Sequence, residues 1–144
     1  MKILIPLILF FTLMPLSAAA EHPITTAAKA SAATIKTGDT VLISIDVKNT
    51  GETKLLFPQN IKIDEKWMID GSGVDFSKNK TGIPISRFSI DSSPPVFKWI
   101  NAGETKTLFI SWTATVADNG DGFLLIALPL EFEPLKPIPL TITK

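Results

Sequence analysis

The sequence predicts an all-β protein, two sheets packed face to face behind an N-terminal export signal. Two long stretches alternate apolar and polar residues with period two. Short polar turns rich in glycine, asparagine and aspartate separate the remaining apolar runs. No stretch carries a wide apolar stripe at helical spacing.

The first period-two stretch is Thr40–Lys48. Val41, Ile43, Ile45 and Val47 point one way, and Leu42, Ser44, Asp46 and Lys48 the other. Burying each of the four β-branched side chains is worth about 1.5–3 kcal/mol before entropy is subtracted. Gly38-Asp39 leads into this strand and Asn49-Thr50-Gly51 turns out of it. The second stretch, Thr105–Val116, follows the turn Asn101-Ala102-Gly103-Glu104. Its core face is Leu108, Ile110, Trp112, Ala114 and Val116, with Trp112 as the expected central aromatic.

Between them, Lys54–Phe57 starts a strand that Pro58 interrupts and Ile61 and Ile63 resume, and Trp67-Met68-Ile69 forms a further short apolar group. Asp70–Gly82 holds three glycines and reads as loop. Ile83–Ile90 reads as extended, with Pro84 favouring a sheet edge. Asp91-Ser92-Ser93-Pro94-Pro95 is a stiff connection, and Val96–Ile100 is short and apolar. Asp118–Gly122 reads as a turn, and Phe123–Leu130 as a strand buried on both faces or paired centrally. In the tail, Pro129, Pro134, Pro137 and Pro139 exclude helix and disfavour a central strand, leaving Leu140–Thr143 as a final edge strand. The segment Glu21–Lys36 is small and polar; it reads as extended or partly ordered, with a first strand near Ala32–Lys36. The sum is an immunoglobulin-like β-sandwich of about seven strands, with a small barrel as the competing arrangement.

The first residues set the compartment. Lys2, the apolar run from Ile3 to Leu13 and the small residues Ser17-Ala18-Ala19-Ala20 form a secretory signal peptide, residues 1–20, cleaved after Ala20. The run is shorter than the roughly 20 residues a membrane span needs. What remains, residues 21–144, is one domain with no second run of membrane length. The chain has no cysteine, which excludes disulfides, thiol catalysis and thiolate metal sites. Basic and acidic residues number 14 each and are interspersed, so nothing gathers nucleic acid.

Residues resembling a known pattern lie in both halves. Gly38–Val41 with Val47-Lys48-Asn49-Thr50-Gly51, Asn101–Thr105 with Ser111-Trp112-Thr113, and Gly122-Phe123-Leu124 resemble bacterial immunoglobulin-like domains. Two families share the layout: the cell-adhesion-related domain of bacterial surface proteins and the bacterial proteinase-inhibitor domain. The resemblance covers about Gly38–Leu56 and Ile100–Leu128 and implies the sandwich. For activity it implies a protein partner at the cell envelope or inhibition of a secreted hydrolase.

Candidate sites are few. His22, the single histidine, sits at the mobile start of the exported chain. Asp118-Asn119-Gly120-Asp121-Gly122 carries part of a calcium-loop pattern, but Pro129 stands where that loop needs its glutamate. Asp64, Glu65, Asp70 and Asp75 could pair for glycoside hydrolysis, although solvated charge accounts for them. Trp67 and Trp99 are core residues or platforms for a sugar or partner. Asn79-Lys80-Thr81 matches a glycosylation acceptor, idle in a bacterial host. The reading is therefore a non-catalytic module with no catalytic, cofactor-binding or metal residues, acting on another protein through the 70–82 loop or the proline-rich tail. A hydrolase inhibitor and a carbohydrate-binding module are the alternatives.

Overall fold

The strand announced by alternation from Thr40 forms over Thr40–Asn49, with Val41, Ile43, Ile45 and Val47 fully buried. The computed structural model describes residues 22–57, 60–84, 87–90, 98–129 and 132–144. The expected signal peptide, residues 1–20, and the Asp91–Pro95 connection lie outside the described residues.

Twelve strands form among the described residues: β1 Ile24–Ala30, β2 Thr34–Lys36, β3 Thr40–Asn49, β4 Leu55–Leu56, β5 Asn60–Ile63, β6 Lys66–Ile69, β7 Gly73–Ser77, β8 Ser89–Ile90, β9 Trp99–Ile100, β10 Thr105–Thr113, β11 Gly120–Ala127 and β12 Ile138–Thr143. About seven were expected; β2, β4, β8 and β9 are pieces of two or three residues. One sheet has the order β1-β3-β10-β8-β6-β5 and the other β2-β12-β11-β7, with β4-β9 as a separate ribbon. A single core joins the two sheets, drawing Ile43, Ile45, Leu108 and Ile110 from one and Val74, Leu124, Leu140 and Ile142 from the other. Phe76 of β7 stacks on Trp112 of β10 across it, ring centroids 6.0 Å apart. Both sheets have open edges, so the arrangement is a sandwich rather than a barrel.

The N-terminal segment is better ordered than its composition suggests. β1 pairs antiparallel with β3 along its whole length, Ile24 opposite Asn49 to Ala30 opposite Ile43. The chain then leaves that sheet and β2 pairs parallel with β12 in the other. Ser31 ends the first pairing, its N–H donating to the Leu42 carbonyl (2.8 Å) and its hydroxyl accepting from the Leu42 N–H (3.1 Å). Alanines serve here because their short side chains let the segment lie close against the core, where Ala28, Ala30 and Ala32 pack.

Several expectations are corrected. Asp70–Gly82 is not all loop: Gly73–Ser77 is β7, paired with β11 and burying Val74 and Phe76. Gly122 of β11 explains the close fit, since a Cβ there would stand 2.6 Å from the Ser77 carbonyl oxygen. That contact also places Gly122, with Gly120 and Asp121, in β11 rather than in a turn. β10 stops at Thr113, so Val116 is exposed, not core. Asp118 breaks the strand by accepting hydrogen bonds from the Thr115 N–H (2.7 Å) and hydroxyl (2.6 Å), closing a single 3-10 turn. Trp112 is half-buried, and the most enclosed aromatics among the described residues are Phe88, Phe132 and Phe57. β8 lies between β10 and β6 rather than at an edge, because Pro84 falls before the strand and removes no donor from the ladder.

The tail departs furthest from expectation. β12 is central, between β2 and β11. Pro139 lies inside it opposite Phe123, yet β2 pairs only with Thr141–Thr143. The Thr141 N–H points to β2, donating to the Ala33 carbonyl (2.9 Å). Two residues earlier, position 139 faces the same side beyond the end of β2, so its missing N–H costs no ladder bond.

Candidate functional site

Each acidic candidate has a role in its own part of the fold. Asp64 and Glu65 make the two-residue turn between β5 and β6, both in the left-handed region at φ 48° and 65°. Glu65 pairs with Lys62 at 2.8 Å on the open surface. Asp70 pairs with Arg87 at 3.0 Å. Asp75 accepts from the adjacent Phe76 N–H at 2.8 Å. Asp118 caps its turn, and Asp121 accepts from the Thr141 hydroxyl at 2.7 Å across two strands. No group of three or more His, Cys, Asp or Glu side chains gathers among the described residues. These carboxylates therefore serve as turn formers, edge caps and surface ion pairs.

His22 is exposed and forms part of the wall of an apolar groove of about 230 Å³ at one end of the sandwich, with Phe132 and Leu135 of the tail. Asn79 is exposed just past β7, its N–H donating to the Ser77 hydroxyl at 3.1 Å.

The tail binds to the protein's own edge. Glu133 donates its N–H to the Ile24 carbonyl (2.8 Å) and accepts from the Thr26 hydroxyl (2.7 Å), while Phe132 is buried 5.7 Å from the Phe57 ring. Pro134 then supplies no donor to prolong the pairing. The tail thus seals the start of β1.

The two tryptophan candidates separate. Trp67 on β6 is half-buried between Lys62 and Ile90. Trp99 stands on the β4-β9 ribbon directly opposite Leu56, and the two are 41% and 56% exposed. The Lys54 ammonium lies 4.5 Å from the Trp99 ring centroid. Behind them Ile100 and Phe57 enter the core, and the Phe57 N–H bonds the Lys98 carbonyl at 2.9 Å. A large aromatic and an aliphatic are therefore held outward on a short anchored ribbon. The sequence offered Trp99 but not its neighbours: the Leu56–Trp99 register depends on residues more than 40 positions apart meeting in space.

Strand order and packing together define an immunoglobulin-like β-sandwich, with Leu56 and Trp99 held outward on its short ribbon. No family model matches the chain, and no curated protein matches it. Among solved structures it is similar to the CARDB domain of a Pyrococcus furiosus protein, determined by solution NMR. The match has 15% identity, covers 84% of this chain and 94% of that one, and has a TM-score of 0.49.

Proposed function

We propose that the protein is an exported, non-catalytic module of the cell envelope that binds another protein through the Trp99 ribbon. The observation that carries the reading is the outward Leu56–Trp99 pair with Lys54 beside it. Tryptophan is among the residue types that dominate protein contact energies, and an apolar neighbour such as Leu56 extends the surface it would bury. The export signal expected at residues 1–20 supports the compartment. The inhibitor reading gains no observation, since the middle of the stretch expected to be a loop at 70–82 is strand β7.

Site-specific photo-crosslinking in the native host tests it. A crosslinker at position 99 should give one adduct of defined mass, lost when Leu56→Ser is added. A crosslinker at Val116, exposed beyond the far end of β10, should give none. Equal adducts from both positions, or none from position 99, reject the reading.

A further inference from the structure

The outer face of the four-stranded sheet holds a second feature, independent of the Trp99 ribbon. Asp121 stands opposite Thr141, and one step along the same face Phe123 stands opposite Pro139. The two rows are about 6.8 Å apart along the strands. Between them Gly122 and Leu140 turn to the core, leaving a groove of about 300 Å³. The Phe123 ring and Pro139 form its apolar side. Its polar side is the Asp121 carboxylate, one oxygen of which accepts from the Thr141 hydroxyl at 2.7 Å. Lys80 places its ammonium 5.4 Å from the Phe123 ring centroid, and Lys78, whose ammonium donates to the Asn119 carbonyl, lines the groove's end.

We infer that this groove is a binding subsite for one ring of a neutral saccharide. A sugar ring has an apolar C–H face and a rim of hydroxyl groups. The Phe123–Pro139 side takes the face, and the remaining Asp121 oxygen accepts from a rim hydroxyl in a charge-assisted bond. Few polar groups set against an apolar wall is the general form of a small-ligand site. The Asp121 carboxylate and the Lys78 ammonium in the groove's lining balance in charge, which suits a neutral ring. Neither residue was singled out for this role by the sequence, since Phe123 sat within an apolar run read as core and Asp121 within a turn.

The test is an amide NMR titration of the purified protein with neutral hexasaccharides (β-glucan, chitin and mannan fragments), an oligogalacturonate and a lysine-rich peptide. At least one neutral glycan should shift the amides of Lys80, Gly122, Phe123 and Thr141. Phe123→Leu, which keeps apolar volume but removes the ring, should weaken that binding about tenfold. Asp121→Asn, which keeps the acceptor for Thr141, should weaken it severalfold. Trp99→Ala should leave it unchanged, so this inference and the proposed protein contact fail separately. The proposal is overturned if no neutral glycan shifts these amides, if Phe123→Leu binds as well as the parent, if the shifts map to Trp67 or Trp99 instead, or if only the peptide or the oligogalacturonate binds.

Discussion

Asn49 shows what one residue does in this fold. It continues the core-facing series of β3 after Val47 and is fully buried, although it is polar. Its amide nitrogen donates to the carbonyls of Thr53 (2.7 Å) and Ile100 (3.0 Å), and its side-chain oxygen accepts from the Gly51 N–H (2.9 Å). Its backbone joins Glu104 and Gly103. One side chain thus ties the turn after β3 to the end of β9, while its backbone holds the turn before β10. Asn49→Ala should cost about 2–4 kcal/mol in denaturant unfolding, because buried backbone groups lose their partners. Asn49→Asp should cost at least as much, since it places a charge against two carbonyl oxygens. The N-T-G motif was legible in the sequence as a turn. Its burial was not, because a turn asparagine and a buried bridging asparagine look the same until the distant Ile100 carbonyl arrives.

At the scale of elements, the β5–β6 hairpin carries identifiable strain. A two-residue hairpin loop of type I′ needs positive φ at both central positions, and here Asp64 and Glu65 adopt it without glycine. Replacing the pair with Asn-Gly should stabilise the protein by about 0.5–1 kcal/mol, read as a rise in unfolding midpoint with unchanged denaturant dependence. A lower midpoint would mean that the Glu65–Lys62 contact outweighs the backbone relief. The strands themselves were read unevenly. β3 and β10 stood out because one face is buried and the other wet, which alternation reports directly. β7 did not, because Gly73, Asp75 and Ser77 have low strand propensity and the strand exists only by pairing with β11. β12 was assigned to an edge because a proline's effect on a ladder depends on which side its nitrogen faces.

For the whole molecule, the sheet edges decide whether strands of separate copies can pair. The tail covers the start of β1. β2 is closed by Asp39, which accepts from the Lys36 N–H at 3.0 Å while its own N–H bonds the Lys36 carbonyl at 3.0 Å. On β7, the Asp75 carboxylate occupies the Phe76 N–H. Lys62 places a charge on β5. These devices block edge-to-edge pairing. Asp75→Ala frees a donor on β7 and should raise aggregation during prolonged incubation, measured by light scattering, whereas Asp75→Asn keeps the acceptor and should behave as the parent. Equal aggregation of all three proteins would show that β7 needs no such protection.

The sequence by itself determined the all-β character, the core faces of β3 and most of β10, and the lack of cysteine chemistry. Each follows from composition or from the alternation of side chains along one strand, a local property of extended backbone. Only the tertiary structure decided which strands are central, that the proline-rich tail seals an edge, and that Leu56 joins Trp99 and Asp121 joins Thr141 on the surface. Those outcomes depend on hydrogen-bond partners far apart in the chain, and residue order does not state which backbone groups will meet.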